Sequence, residues 1–297
     1  MNKINNKILK KINIKNGGRW TKNFFKKDEK IKPLITIITV TLNSQKHLEE
    51  TLTSIFNQNY KNYELIIIDG KSNDKTLSII KKYEHKIDYW MSEKDKGIYD
   101  AFNKGMNLAR GQYIGIVNSD DLLNKNALTL LIKYIKRNIG IDFIFGSVKK
   151  HWGVLYGYKK WKVRFSWGFY SSHSTGFFIK KSAAEKVGKY NIKYKNHADW
   201  DYFYRMIIKE KLSGIGTKKN EIFGIFRSGG HSSKIIYDEH ILETVKIRLN
   251  NNQSKLLVLI VTLYKYYKNM RLIKKKKKTL FSIIFLIYNL KISKVRR

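Results

Sequence analysis

At 297 residues the chain is long enough for one large or two small domains with a buried core, and its 42% hydrophobic content excludes a wholly disordered protein despite a net charge of +37. With no Cys it can form no disulfide, thiolate metal site or cysteine nucleophile. The basic excess is carried by 50 Lys against 10 Arg, which argues against sequence-specific nucleic-acid reading by guanidinium forks and favours anionic membrane surfaces and phosphorylated substrates as partners.

Met1 to Lys32 is basic and Asn-rich, without the apolar core of a secretory signal. From Leu34 the pattern becomes regular. Leu34 to Leu42 is a β-branched run typical of a buried strand, and Ser44 is placed to cap a helix that reaches about Asn57. Glu64 to Ile68 predicts a second buried strand, Leu77, Ile80 and Tyr83 mark a helix, and Ile87 to Met91 a short strand. A helix over 97–109, a strand over 112–117, a helix over 127–137 and a strand over 141–145 follow. Strands alternating with helices predict βαβ units, hence an α/β fold with a mostly parallel sheet. The aromatic stretch His151 to Tyr170 predicts a β-ribbon or loop over a cleft. A helix over Asp199–Leu212, a strand over Glu221–Phe226 and a helix from Tyr237 to about Leu249 come next. Beyond Asn250, two apolar runs, Leu256–Tyr264 and Thr279–Leu290, frame Lys274–Lys278. Neither run approaches the roughly 20 residues of a membrane span. The tail therefore reads as an interfacial anchor or as a basic helical hairpin lying on the core.

Open parallel sheets bind ligands at the carboxyl ends of their strands. Thr41, Asn43 and Ser44 follow the first strand, Asp69 to Asp74 the second, and Asn118-Ser-Asp-Asp121 the 112–117 strand. Adjacent carboxylates such as Asp120 and Asp121 repel unless a cation or proton lies between them, and Mg²⁺ or Mn²⁺ takes one or two carboxylates with the remaining ligands from water and phosphates. The alternative is that both cap the following helix. Asp69 either receives hydrogen bonds from a base or ribose or closes an Asx turn, and Asp74 is a candidate N-cap. The loop lacks the spaced glycines of a phosphate loop. Asp199, at a helix start after the aromatic stretch, is either a general base or an ordinary cap.

Five segments carry a resemblance when taken in order: Val40-Thr-Leu-Asn43; Asp69-Gly-Lys-Ser-Asn-Asp74-Lys-Thr76; Ser92 to Gly105, with Asp95 and Asp100; Asn118 to Asp121; and Ala198-Asp-Trp-Asp201. From about Leu34 to Ser232 the chain resembles glycosyltransferase family 2, the inverting GT-A enzymes, in its bacterial surface-polysaccharide branch. The resemblance implies a GT-A (Rossmann-like) sheet flanked by helices over 33–250, with a nucleotide-sugar half (33–121) and an acceptor half (122–250). Residues 1–32 would be a basic extension and 251–297 a basic amphipathic tail. It implies that Thr41, Asn43 and Asp69 cradle base and ribose, with Asp74 and Asn118 on the nucleotide side, and that Asp95 and Asp100 border the donor pocket. It makes Asp120, with Asp121 beside it, the ligand of a divalent cation (Mg²⁺ or Mn²⁺), in a slot where Asn118 replaces the first Asp of the family's Asp-X-Asp. Asp199 matches the catalytic base, with Asp201 near the substrate. His173 matches a His that Gln follows in the family, where this chain has Ser174. Gly229-Gly-His231-Ser232 resembles a loop that closes near the diphosphate.

The function implied is transfer of a sugar from a nucleotide-diphosphate sugar to a lipid-linked glycan at the inner face of the cell membrane, on its cytoplasmic side. A protein or teichoic-acid acceptor is the alternative. A basic nucleic-acid-binding protein is the reading from another class, and it leaves the order of the carboxylates unexplained.

Overall fold

The computed structural model describes residues 14–29, 31–165, 174–227, 229 and 236–289. Its strands are β1 (Lys15–Gly17), β2 (Ile35–Thr41), β3 (Tyr63–Asp69), β4 (Tyr89–Ser92), β5 (Tyr113–Ile116), β6 (Leu122–Leu123), β7 (Phe143–Phe145), β8 (Ser147–Lys150), β9 (Gly153–Leu155), β10 (Phe177–Lys180), β11 (Gly214–Gly216) and β12 (Ile222–Ile225). The longer helices are α1 (Leu48–Phe56), α2 (Thr76–Lys82), α3 (Ile98–Leu108), α4 (Ala127–Arg137), α5 (Lys181–Val187), α6 (Ala198–Tyr204), α7 (Tyr237–Asn250), α8 (Lys255–Lys268) and α9 (Lys276–Asn289).

Every residue of β2 and β3 is buried, which explains their unbroken apolar and β-branched runs: helices cover both faces. Successive side chains point to opposite faces. Ile38, Val40, Ile66 and Ile68 thus meet α3 through Phe102, while Ile35, Ile37, Leu65 and Ile67 meet α1 and α4 through Leu52, Ile55 and Leu131. Gly105 lets α3 lie close on β2, since a Cβ there would sit 2.4 Å from Ile38 Cγ2.

The main sheet runs β1-β4-β3-β2-β5-β10-β7-β11. β4, β3, β2 and β5 are parallel, as expected, so their carboxyl ends open on one edge. β10 runs antiparallel between β5 and β7, a reversal that apolar periodicity does not encode. A second sheet runs β6-β12-β8-β9, with β8 and β9 as a hairpin; of the aromatic stretch 151–170 only β9 is strand, 162–165 is a short helix, and 166–170 lie outside the described residues. Part of the N-terminal segment is built into the fold: β1 pairs with β4, and buried Trp20 stacks on Tyr89 with ring centroids 5.3 Å apart.

Two expectations are corrected. Ser44 does not cap α1, which starts four residues later; its carbonyl accepts the His47 and Leu48 N–H groups, while its hydroxyl meets Ser119 Oγ at 2.7 Å. The helix from Asp199 changes character at Arg205, where a π-helical turn, Arg205–Lys209, follows α6.

Of the two readings of the tail, packing on the fold is observed. Val258, Tyr266, Ile283 and Ile287 of α8 and α9 form a third core with Ile241, Val245 and Leu249 of α7. Asp238 fastens the start of α9 by accepting the Lys274 and Lys275 N–H groups (3.0 and 3.1 Å) and the Thr279 hydroxyl (2.6 Å). The outward faces stay apolar: Leu256, Ile260, Tyr264 and Tyr267 on α8, and Phe281, Ile284, Phe285 and Tyr288 on α9, are all exposed. No described helix is long and apolar enough to cross a membrane.

Candidate active site at the carboxyl edge of the sheet

Asp69 ends β3 and is fully buried. Its Oδ1 accepts the Ser72 hydroxyl at 2.5 Å, and its Oδ2 accepts the Ser92 hydroxyl at 2.6 Å and the Ser72 N–H at 3.1 Å. The Asx-turn reading is therefore realised, and it orders the loop on which the candidate residues sit. Asn43, in the left-handed region at φ 50°, joins this loop to β2. Its N–H donates to Ser72 Oγ (2.8 Å) and its Oδ1 accepts the Asn73 N–H (3.0 Å). Asp74 accepts the Thr76 and Gln45 N–H groups at 2.9 and 3.1 Å. Burial opposes its ionisation, but these contacts prevail and hold its carboxyl below the usual range.

Beside this loop comes Asp95, whose Oδ1 accepts the Gly97 N–H at 2.9 Å. Its Oδ2 approaches Gly70 so closely that a Cβ there would lie 2.5 Å away. Burial pushes the Asp95 carboxyl up, the Gly97 N–H and Lys104 oppose this, and the Asp100 and Asp69 charges add to it. Asp100, in the first turn of α3, accepts the Lys96 N–H at 3.0 Å and lies 3.5 Å from Lys104 Nζ.

At the end of β5 the neighbouring carboxylates have different surroundings. Asp121 is fully buried: Oδ2 accepts the Thr175 hydroxyl at 2.5 Å and Oδ1 the Arg227 N–H at 3.3 Å. Asp121, expected beside the metal, lies with Oδ2 3.4 Å from Asn118 Nδ2 and ties the end of β5 to the turn before β10 and the segment after β12. Asp120 is half-buried. Asn118 donates to Ser174 Oγ at 3.0 Å. Among the described residues, its buried Oδ1 and the buried Thr41 Oγ1 find no hydrogen-bond partner. An amide oxygen without a donor, two residues from a half-buried carboxylate in sequence, is of the hard oxygen type that Mg²⁺ or Mn²⁺ accepts. No cluster of three His, Cys, Asp or Glu suited to a metal occurs among the described residues.

Asp199, the second residue of α6, reaches this edge through α3. Its Oδ1 accepts the Trp200 N–H at 3.0 Å and lies 3.1 Å from the Tyr99 hydroxyl, which is also 3.0 Å from the Asn196 carbonyl. Tyr99 immediately precedes Asp100, so the start of α3 connects the acidic loop to Asp199. Asp201, expected near the substrate, is buried in an ion pair: Oδ2 accepts Arg205 Nε at 2.9 Å and Oδ1 the Asn251 amide at 2.8 Å. It binds α6 to the end of α7. His173 and His231 lie outside the described residues. Tyr99, Ser72 and Ser92 acquire their roles only in three dimensions; each stood inside a recognised segment, but no spacing marked it.

The sequence profile of Glycosyl transferase family 2 matches residues 36–206. The chain belongs to glycosyl transferase family 2. It is 32% identical over 193 residues to an uncharacterised glycosyltransferase of Methanocaldococcus jannaschii, covering 60% of this chain and 66% of that one. It is 25% identical over 237 residues, 77% of this chain and 90% of the other, to a PGL/p-HBAD biosynthesis glycosyltransferase of Mycobacterium tuberculosis. The poly(ribitol-phosphate) β-N-acetylglucosaminyltransferase TarP of Staphylococcus aureus is 38% identical over 118 residues, 38% of this chain and 36% of TarP. The fold matches that of S. aureus TarS residues 1–349, solved with UDP-GlcNAc, at TM-score 0.64 and 16% identity over 85% of this chain and 80% of that fragment. It also matches the Pyrobaculum calidifontis mannosyltransferase PcManGT, solved with GDP-Man and Mn²⁺, at TM-score 0.56 and 15% identity over 90% and 78%. The fold is thus of the GT-A kind, with helices appended at its C-terminal end.

Proposed function

We propose that this family 2 enzyme transfers a sugar, with inversion, from a nucleotide-diphosphate sugar to a growing glycan. The observation that carries the reading is the meeting of Asp199 with Tyr99 at the head of the helix that also holds Asp100, across 100 residues of sequence. Asn43 and Thr41 face the base and ribose, on the edge that buried Asp69 orders through Ser72 and Ser92. Asp120 and Asn118 Oδ1 would hold the divalent cation, which when bound supplies positive charge to the departing diphosphate. Asp199 takes the proton from the acceptor hydroxyl as that oxygen attacks the anomeric carbon from the side opposite the leaving group. The C–O bond to the phosphate breaks as the new glycosidic bond forms. Release of a nucleoside diphosphate from a nucleotide sugar, dependent on Mn²⁺ or Mg²⁺, tests this reading.

A lipid-linked acceptor on an anionic membrane surface is supported by the tail. No acidic residue follows Glu243, whereas 15 Lys or Arg do, and the exposed apolar stripes of α8 and α9 lie alongside them. Apolar faces beside clustered lysines suit a headgroup interface, where each Lys contributes about 1 kcal/mol. Phe281→Ser with Phe285→Ser should release the protein from phosphatidylglycerol vesicles in a flotation assay, as should high salt. Unchanged flotation of the double variant would place the contact elsewhere. An anionic polymer acceptor is the second reading, favoured by the match to TarP.

A further inference from the structure

Two residues before Asp199, buried His197 begins a chain of polar contacts that leads away from the site and into the tail. Its Nδ1 lies 2.8 Å from Glu243 Oε2 of α7, and its Nε2 lies 2.6 Å from His240 Nδ1. His240 Nε2 meets the Nζ of Lys265, which α8 contributes. Lys265 is only 6% exposed, and its Nζ sits 5.2 Å from the centre of the Trp200 ring. At the other end Glu243 also accepts the Lys195 and Asn196 N–H groups, at 2.7 and 3.0 Å.

With Lys265 as the donor, every contact is satisfied in one direction. Lys265 donates to His240 Nε2, His240 Nδ1–H donates to His197 Nε2, and His197 Nδ1–H donates to Glu243. An amine and a carboxylate are thus joined through two imidazoles. Burial, reinforced by the Lys265 charge, pulls the His240 ring down to about 2, which keeps it neutral. Burial, with the Arg248 charge nearby, pulls Lys265 down to about 7, and either form of the amine has an N–H to give.

We propose that Lys265, His240, His197 and Glu243 form a positioning chain for Asp199, so that the tail helix α8 is part of the support of the catalytic centre. The chain ends on the loop at residues 195–197, and its Asn196 carbonyl and Asp199 Oδ1 share the Tyr99 hydroxyl. A shift of α8 is therefore passed to the group that receives the acceptor's proton. Lys265, His240, His197 and Glu243 are positioning residues, since each acts on Asp199 through another group. This inference rests on Asp199 being the base.

The test compares full-length wild type with Lys265→Met, which keeps the apolar stem, and with His240→Phe, which keeps a ring. Lys265→Met leaves His240 Nε2 without its donor, which costs stability, so melting curves are taken first to show that both variants are folded. Two readouts are taken: ¹⁵N NMR of the histidine rings and the Asp199 amide, and nucleoside-diphosphate release from a panel of UDP-, GDP- and dTDP-sugars. In wild type both rings should carry their proton on Nδ1. In both variants the His197 ring and Asp199 amide signals should move. Turnover should fall about tenfold to a hundredfold with donor KM within about twofold, the pattern of a misplaced group rather than a lost binding contact. Unmoved His197 and Asp199 signals in both variants, or a loss confined to KM, would overturn the proposal. If wild type releases nucleoside diphosphate from no donor, the transfer reading fails, and the NMR shifts alone then decide whether the chain couples α8 to Asp199.

Discussion

Asp199→Asn should lower turnover by about 10²–10⁴-fold, the usual contribution of a general base, while leaving the melting temperature nearly unchanged. The structure explains why the two effects separate. Asp199 meets both the Trp200 N–H and the Tyr99 hydroxyl through Oδ1, and the Asn side chain retains that oxygen. What it loses is the ability to take a proton. Asp201→Asn should show the reverse pattern. There the ion pair with Arg205 is partly buried and the same carboxylate, itself buried, holds Asn251. Arg205 keeps the carbonyls of Val187 and Lys189, so the loss should be about 1–3 kcal/mol of stability, with turnover per folded molecule largely kept. Melting curves and initial rates on the two variants separate base from brace. Full turnover in the Asp199 variant would remove it from the mechanism.

Asp120→Asn should abolish the strengthening of nucleoside-diphosphate binding by Mn²⁺, a loss of about 10²-fold or more in metal affinity, because a charged oxygen is replaced by a neutral one. In excess chelator the variant and wild type should bind alike. Asp121→Asn should instead reduce stability, because its carboxylate accepts from Thr175 and from the Arg227 backbone inside the fold. Calorimetric titration of UDP and GDP with and without Mn²⁺ reads the first effect, and thermal denaturation the second. Equal Mn²⁺ enhancement in wild type and Asp120→Asn would move the metal away from β5.

The contrast between Asp120 and Asp121 shows where the sequence stops being informative. Two adjacent acids at a strand end are visible as a pair, but which one enters the interior depends on the turn after β5 and on Thr175 and Arg227, which lie 54 and 106 residues away. β2, β3 and α4 were legible because burial on both faces, or on one stripe, imposes a pattern on every residue. Of the second sheet only β12 was legible, as the strand over 221–226; the other strands, of two to four residues, carry too few positions for a period. The direction of β10 also leaves no mark, because a buried strand has the same composition either way. Asp201 resembled Asp199 in position and differs in surroundings, which Arg205, one helical turn ahead, partly announced. The chain from Lys265 to Glu243 joins three separate segments, each of which reads locally as an ordinary amphipathic helix or its cap.

The most direct measurement of the central claim is nucleoside-diphosphate release from a panel of nucleotide sugars by the wild-type protein, in Mn²⁺ and in excess chelator. One donor should be turned over, only with the metal, and the same donor should raise the melting temperature as a ligand of the folded state does. Release from no member of the panel, or equal release in chelator, would contradict the assignment of the β2–β5 edge as a metal-assisted nucleotide-sugar site.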